Sequence, residues 1–227
     1  MAQKIITIGI GGATCGGKST LAKLVCQLFG DRAQKLNQDD FYFPDEYPGH
    51  VYVPEVKHIN WEVESAFDNA KLIRVVKERI QSSEDKAAVV GNVSNLIQAL
   101  DESRDNPLLV DGEKLSAQWQ KLFERSVIPS SVLIVEGIHV LTCKELSQLC
   151  DLKFFVTLDH KTCWERRQLR SYDPPDPPGY FDKIVWPSYC KQLEILMKSA
   201  PEGLHFLDGR DGLSDNLRLV LKLILES

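Results

Sequence analysis

Short runs of apolar residues alternate along this chain with longer stretches in which apolar residues recur every three or four positions. The runs IITIGI (5–10), SVLIVE (131–136) and LKFFVTL (152–158) are typical of buried parallel strands, and we add QKLN (34–37), in which only Leu36 is apolar, as the second strand and HFL (205–207) as the last. The helical spacing covers residues 19–29, 61–80, 160–170, 182–198 and 213–226. Strands that alternate with helices predict an α/β domain of three layers, in which helices cover both faces of a central parallel sheet.

The stretch from residue 81 to residue 130 is polar and harder to interpret. It contains two segments with helical spacing, NVSNLIQAL and EKLSAQWQKLF, together with the turn signals DNP and DG. We interpret it as a helical insertion, because no repeat or low-complexity tract marks a separate domain. The chain is therefore expected to form a single domain over residues 1–227.

A proline-rich segment, YDPPDPPGYFDKIVWP, occupies residues 172–187. Proline fixes φ and lacks an N–H group, so this segment excludes a helix or an interior strand over its first half. A stiff loop of this kind is either a linker or a functional loop. Its position between two predicted helices favours a lid, which together with the preceding arginine-rich helix covers residues 160–181.

Composition narrows the choice of partner. The chain has 27 Lys and Arg against 32 Asp and Glu, a net charge of −5, which argues against general binding to nucleic acid or to anionic membranes. No apolar run approaches the roughly 18–20 residues that span a bilayer, and the first residues lack the features of a signal peptide. We expect a cytoplasmic protein, with access to the nucleus left open and with no protein partner indicated. The six cysteines show no C-x-x-C spacing and are expected to be reduced thiols.

The segment GGATCGGKST follows the first strand and opens the first helix. Gly12, Gly17, Lys18 and Ser19 match G-x-x-x-x-G-K-[ST], the phosphate-binding loop, in the strand-to-helix context that this motif requires. Glycines allow successive backbone N–H groups to face an anion, the lysine reaches the β- and γ-phosphates, and the serine hydroxyl can ligate Mg²⁺. The motif predicts binding of a nucleoside triphosphate, and water, a protein or a small molecule remain open as acceptors.

Acidic residues follow two of the predicted strands. Asp39 and Asp40 come just after the second strand, and Glu136 ends the strand SVLIVE. Ligands of open parallel sheets collect beyond the carboxyl ends of the strands. These carboxylates are therefore candidates for holding Mg²⁺ or for accepting a proton from an acceptor hydroxyl, and a turn or capping role for Asp40 is equally open.

Three arginines cluster in the helix that leads into the proline segment. Arg166 and Arg170 are spaced to share a helix face, and Arg167 lies about 100° around the helix from Arg166. Phosphoryl-transfer transition states are stabilised mainly by positioned positive charge, which gives this cluster a candidate catalytic role. Solvated helix charges are the simpler alternative.

Together these segments resemble the nicotinamide riboside kinases, which belong to the uridine-kinase-like P-loop kinases of small molecules. The resemblance rests on GGATCGGKST, QDDF (38–41), LIVEG (133–137), LDG (207–209) and, most specifically, RRQLRSYDPPDPPGYFDKIVWPSY (166–189). It implies a fold like those of the P-loop NTPases and nucleoside monophosphate kinases. It also implies an ATP- and Mg²⁺-dependent kinase that phosphorylates the 5′-hydroxyl of nicotinamide riboside to give the mononucleotide.

The resemblance also implies roles for individual residues. Those implied to bind ATP are Gly12, Ala13, Thr14, Cys15, Gly16, Gly17, Lys18, Ser19, Thr20, Arg166 and Arg170. Those implied to bind the riboside are Asp39, Asp40, Phe41, Trp61, Glu62, Arg167, Tyr172 and Asp173. Asp39 is the implied base, with Lys18 and Arg166 assisting catalysis, and the implied metal site is Ser19, Asp39 and Glu136.

The implied substrate site departs from the family pattern at three positions. Trp61 stands where the family has a tyrosine that stacks on the nicotinamide ring, and Glu62 stands where it has an aspartate on the ribose diol. Both changes preserve the chemistry, because a larger π face and a longer carboxylate make the same contacts. Asp173 replaces a frequent glutamine and is expected to favour nicotinamide riboside over its acid analogue. Two alternatives stay open: a kinase of another nucleoside such as uridine, and a non-catalytic nucleotide-binding protein that uses residues 81–130 for docking.

Overall fold

The computed structural model describes residues 5–82, 109–110, 114–115, 117, 121, 131–172 and 175–227. Five strands of this part of the chain form one parallel sheet: β1 (Ile6–Gly12), β2 (Ala33–Asn37), β3 (Val132–Glu136), β4 (Leu152–Thr157) and β5 (Leu204–Asp208). Their order across the sheet is β2-β3-β1-β4-β5. All five correspond to the predicted strands.

The helices of the described residues are α1 (Lys18–Phe29), α2 (Asn69–Ser82), α3 (Lys144–Leu149), α4 (His160–Arg167), α5 (Trp186–Ser199) and α6 (Leu213–Glu226). Residues of α1 and α6 pack with Ile6, Ile8 and Ile10 on one face of the sheet. Residues of α2, α3 and α5 pack with Leu133 and Val135 on the other face. The alternating side chains of the three inner strands, β3, β1 and β4, are thus buried on both faces, which confirms the predicted three-layer α/β fold.

The second predicted helix begins later than its sequence pattern indicates. The spacing predicts a helix over 61–80, whereas α2 starts at Asn69, so the prediction is wrong for residues 61–68. The Asp68 carboxylate accepts a hydrogen bond from the Lys71 N–H at 2.9 Å and caps the helix there. Upstream, the Trp61 N–H donates to the Tyr180 hydroxyl at 3.0 Å, a contact from 119 residues away that local spacing cannot reveal.

Two other predictions change in detail. The helix predicted over 160–170 ends at Arg167, and the Arg170 N–H then bonds to the Arg167 carbonyl in a tighter turn. In the insertion, Leu109–Val110 and Lys114–Leu115 pair as antiparallel strands, so a helix over the whole of EKLSAQWQKLF is wrong at its start. The rest of the interpretation of 83–108 and 122–130 lies outside the described residues.

The far end of the proline segment is anchored in the core. Phe181–Val185 forms a π-helical turn that continues directly into α5, close to the predicted start at residue 182. Tyr180 and Phe181 are 1% and 2% exposed and belong to the core cluster on the α5 face of the sheet. All six cysteines carry free thiols, as expected.

Candidate active site

The phosphate-binding loop lies between β1 and α1, beyond the carboxyl end of the central strand. Gly12 has φ +118°, and a Cβ atom there would lie 2.2 Å from the Val156 carbonyl oxygen of β4. Gly17 has φ +94° with open space around it, so it is required for its conformation alone. The two glycines bring the backbone against β4 and then turn it into α1.

Lys18 begins α1 and folds back over this loop. Its ammonium donates to the carbonyl oxygens of Gly12 at 3.1 Å and Ala13 at 2.8 Å. Burial lowers the pKa of Lys18, and the nearby carboxylates of Asp39 and Glu136 oppose that effect. Two neutral carbonyl oxygens thus hold the Lys18 ammonium beside the loop. A phosphate, which is charged and forms stronger hydrogen bonds, can take their place as its acceptor.

Glu136 ends β3 between the two strands that flank it, in register with Asn37 of β2 and Ile10 of β1. It is 1% exposed. Its carboxylate accepts from the Ser19 hydroxyl at 2.8 Å and lies 3.4 Å from the Lys35 ammonium. These contacts supply the compensation that a buried carboxylate needs and place it directly against the serine of the phosphate loop.

Asp39 lies in a 3₁₀ turn, Gln38–Phe41, that follows β2. The Asn37 side chain caps this turn by accepting from the Asp39 N–H at 3.1 Å. Partial burial raises the pKa of the Asp39 carboxyl, Lys18 lowers it, and Glu136 and Asp40 raise it further. The raised pKa makes Asp39 a stronger base than an ordinary aspartate while a cation stays close to it.

One cavity of about 350 Å³ joins the phosphate loop to the proline segment. From the phosphate side it is lined by Thr14, Cys15, Lys18, Ser19, Asp39 and Glu136. It is also lined by Trp61, Glu62, Arg167, Arg170 and Tyr172. The structure therefore brings together residues that the sequence analysis gave to the nucleotide, the metal and the riboside.

The part of the cavity lining formed by Tyr42, Trp61 and Glu62 is aromatic and acidic. Trp61 meets the Tyr42 ring edge-on, with the ring centroids 5.5 Å apart. The Trp61 indole Nε1 is buried without a hydrogen-bond partner among the described residues. Burial raises the pKa of Glu62 to about 7, although Arg167 and Lys18 lower it. A polar ligand in this part of the cavity would gain an indole donor and a carboxyl acceptor.

Arg167 is 5% exposed and links the proline segment to the phosphate loop. Its Nε and Nη2 donate to the two carboxylate oxygens of Asp176 at 2.7 and 3.0 Å, and its Nη1 donates to Thr14 Oγ1 at 2.9 Å. The guanidinium carbon lies 4.2 Å from the centroid of the Tyr172 ring. The Tyr172 hydroxyl in turn lies 3.6 Å from Cys15 Sγ, so the start of the segment also contacts the phosphate loop directly.

Some predicted residues lie apart from the lining of this cavity. Arg166 contacts the outside of the phosphate loop, where its Nη1 donates to the Cys15 carbonyl at 3.5 Å. Asp40 is exposed, and the Phe41 ring packs 5.8 Å from the Lys71 ammonium. Gly12, Ala13, Gly16, Gly17 and Thr20 belong to the loop and the start of α1 without lining the cavity. Asp173 lies outside the described residues.

Other lining residues were missed by the sequence analysis: Asn37, Tyr42, Phe43, Asp45, His58 and Asp176. Several of them come from the stretch FYFPDEYPGH, whose density of aromatic residues in a polar loop was an available signal. Tyr180, which belongs to the core cluster on the α5 face of the sheet, also lines the cavity.

The described residues contain no group of three or more His, Cys, Asp or Glu side chains arranged to hold a metal ion by themselves. Among them, too, no helix is long and apolar enough to cross a membrane.

Comparison with known proteins agrees with this geometry. Residues 7–173 match the model of the phosphoribulokinase/uridine kinase family. The chain belongs to the phosphoribulokinase/uridine kinase family. As a member of that family it is a kinase, that is, a phosphotransferase with a nucleotide-binding P-loop.

Curated relatives within this family include both nicotinamide riboside and uridine kinases. Nicotinamide riboside kinase 1 of Mus musculus is 30% identical over 91% of this chain and 87% of its own length. Nicotinamide riboside kinase 2 of Homo sapiens is 28% identical over 98% of this chain and 82% of its own length. The uridine kinase of Geobacillus sp. (strain WCH70) is 29% identical over 98% of both chains.

Proposed function

We propose that the protein transfers the γ-phosphoryl group of ATP to the 5′-hydroxyl of nicotinamide riboside, giving nicotinamide mononucleotide. The observation that carries this proposal is the cavity that unites the phosphate loop and Asp39 with an aromatic, acidic end at Trp61, Glu62 and Tyr172. A kinase of a small riboside needs both ends within one cavity, because the acceptor hydroxyl must reach the γ-phosphate.

Asp39 acts as the base in this proposal. Its carboxylate takes the proton of the 5′-hydroxyl as the oxygen forms its bond to the γ-phosphorus and the bond to the β-phosphate oxygen breaks. Its raised pKa suits that role, and Lys18 leaves its loop carbonyls to balance charge on the phosphates. Arg166 and Arg170, at the outer side of the loop and at the cavity edge, support the nucleotide.

The oxygen groups present fit Mg²⁺. Magnesium is held in such sites by one or two protein oxygens together with phosphate oxygens and water, so a dedicated cage of protein ligands is not required. The Ser19 hydroxyl, the Glu136 carboxylate and Asp39 line one side of the cavity, and the first two are already joined by a 2.8 Å hydrogen bond. When bound there, the ion would offset phosphate charge during transfer.

The opposite end of the cavity suits a cationic ring on a ribose. Five carboxylates line the cavity, from Asp39, Asp45, Glu62, Glu136 and Asp176. Three cations face them, from Lys18, Arg167 and Arg170, so the lining is acidic overall. Aromatic faces bind a pyridinium cation well, and in this proposal Trp61 and Tyr172 contact the ring while Glu62 accepts from the ribose diol.

Uridine is the second candidate, because the similarity to a uridine kinase extends over 98% of the chain. A uracil ring is neutral and needs matched donors and acceptors. The acidic and aromatic lining favours the cationic ring instead.

The test is direct. The protein is incubated with ATP, Mg²⁺ and nicotinamide riboside, and the position of the new phosphate is identified by ³¹P–¹H correlation. We expect phosphorus on the 5′-oxygen, and much slower formation of product by Lys18→Ala. With Asp39→Ala, kcat should fall far more than ATP affinity. Absence of product from the wild-type protein, or equal loss of ATP affinity in Asp39→Ala, would refute the proposal or the role of Asp39 respectively.

A further inference from the structure

Among the described residues of the proline segment, Asp176 places its carboxylate in the cavity lining, and its contacts differ from those of the other acids there. It binds the Arg167 guanidinium through two parallel hydrogen bonds, at 2.7 and 3.0 Å. The pair is poorly accessible to solvent, with side-chain exposures of 6% for Arg167 and 24% for Asp176. Salt screens buried charges only weakly, so loss of this ion pair would change the electrostatic potential throughout the cavity.

The guanidinium of Arg167 also lies on the ring of Tyr172, 4.2 Å from its centroid. One face of this ring is therefore already occupied by a cation. A substrate ring that stacks on Tyr172 must use the opposite face, which places it roughly 8 Å from the guanidinium when a normal stacking distance is added. If that substrate ring is a cation, it and the Arg167 guanidinium are two positive charges on opposite faces of the Tyr172 ring, and they repel each other.

Left unpaired, Arg167 would weaken binding of such a cation on the order of tenfold or more at the effective dielectric of a partly buried site. Thr14, its other hydrogen-bond partner, is neutral and cannot offset the charge. Asp176 can, because its carboxylate takes the fork of the guanidinium in the geometry that pairs the two charges most closely.

We infer that Asp176 determines specificity for the charge of the substrate ring, by neutralising Arg167 behind Tyr172 so that a cationic ring is accepted there. The inference rests on the proposed function, since it takes Tyr172 as the platform for the ring. Asp176 is a positioning and charge-balancing residue in this account and does not touch the reacting atoms.

The experiment compares two ribosides whose rings have the same shape and differ in charge: nicotinamide riboside, which is cationic, and benzamide riboside, which is neutral. Dissociation constants are measured by calorimetry for the wild-type protein, Asp176→Asn and Asp182→Asn. Asp182→Asn is the matched control, because it removes the same charge from an exposed position of the same segment. There the Asp182 carboxylate lies 2.8 Å from His160 Nε2.

Asp176→Asn should reduce the preference for the cation over the neutral isostere about tenfold, while Asp182→Asn leaves that ratio unchanged. Asp176→Glu, which keeps the charge, should restore most of it. Equal loss of affinity for both ribosides in Asp176→Asn would mean that Asp176 only supports the loop. Unchanged affinity for both would mean that the charge of Arg167 has no effect on binding of the ring. Either result overturns the inference.

Binding is measured apart from turnover, so the two proposals can fail separately. A wild-type protein that makes no nicotinamide mononucleotide refutes the proposed function, whereas the binding ratio alone decides the role of Asp176. Thermal unfolding of each variant confirms that the folded protein is being compared.

Discussion

Glu62 allows the electrostatics of the cavity to be measured as protein stability. Burial raises the pKa of its carboxyl from an ordinary 4.5 to about 7, against the opposing influence of Arg167 and Lys18. The folded protein therefore holds a proton at Glu62 that the unfolded chain releases more readily. Stability from this residue is complete below pH 4.5 and is lost as pH rises through about 7.

The magnitude follows from the two pKa values. Raising the pKa from 4.5 to about 7 corresponds to about 3.4 kcal/mol in total. About 2.5 kcal/mol of this free energy is lost between pH 5 and pH 8.5, the pH range chosen for comparing the wild-type and variant proteins. Glu62→Gln keeps the shape of the side chain and cannot ionise, so its free energy of unfolding should lack this component.

The assay is urea denaturation of the wild-type protein and of Glu62→Gln at pH 5 and pH 8.5. We expect Glu62→Gln to gain about 2.5 kcal/mol relative to wild type between the two pH values, since the other titrating groups cancel in the difference. Glu55→Gln, an exposed position in the same region, should show no such change. A difference that does not vary with pH would refute a raised pKa of the Glu62 carboxyl in the folded protein. The same variant should raise KM for the riboside, because Glu62→Gln removes the carboxylate that accepts from the ribose diol. Greater stability and weaker substrate binding would then come from one substitution.

Three further predictions concern the phosphate end of the cavity. Lys18→Ala should lower kcat roughly 10²- to 10³-fold, as expected for a lost phosphate donor, and steady-state kinetics with unchanged turnover would contradict its role. Gly12→Ala should destabilise the protein by about 1–3 kcal/mol and more than Gly17→Ala, because its Cβ would lie 2.2 Å from a carbonyl oxygen while Gly17 has open space; equal thermal shifts would contradict this. Glu136→Gln should raise the Mg²⁺ concentration needed for half-maximal activity about tenfold, and an unaltered magnesium titration would show that Glu136 does not serve the metal site.

The sheet and the phosphate loop are predictable because their signals are local. A buried parallel strand appears as a continuous apolar run, and the loop places its glycines, lysine and serine within eight consecutive positions. The structure confirms the five strands and positions Lys18, Ser19 and Glu136 around one end of the cavity.

The wall opposite the loop is only partly predictable, because its geometry depends on contacts distant in sequence. Trp61 was expected at the start of a helix, yet its backbone is fixed by the Tyr180 hydroxyl, and Tyr42 packs against its ring. No role was assigned to Asp176 from the sequence, and its ion pair with Arg167 of α4, at 2.7 Å, is seen only in the structure. Periodicity cannot report such pairings, since it carries no information about contacts between residues in different parts of the chain.

The helix that carries the arginines shows how a correct assignment can still misplace a side chain. Spacing puts Arg166 and Arg170 on one face of a continuous helix, but α4 ends at Arg167 and the chain tightens at Arg170. Arg167 lies on another face of α4. It joins the phosphate loop to the proline segment through its hydrogen bonds to Thr14 and Asp176.

The most direct measurement is kcat/KM for nicotinamide riboside compared with kcat/KM for uridine, at saturating ATP and Mg²⁺. The account predicts a clear preference for nicotinamide riboside, because an acidic and aromatic cavity stabilises a cationic ring more than a neutral uracil ring. A preference for uridine, or phosphorylation of neither riboside, would contradict it.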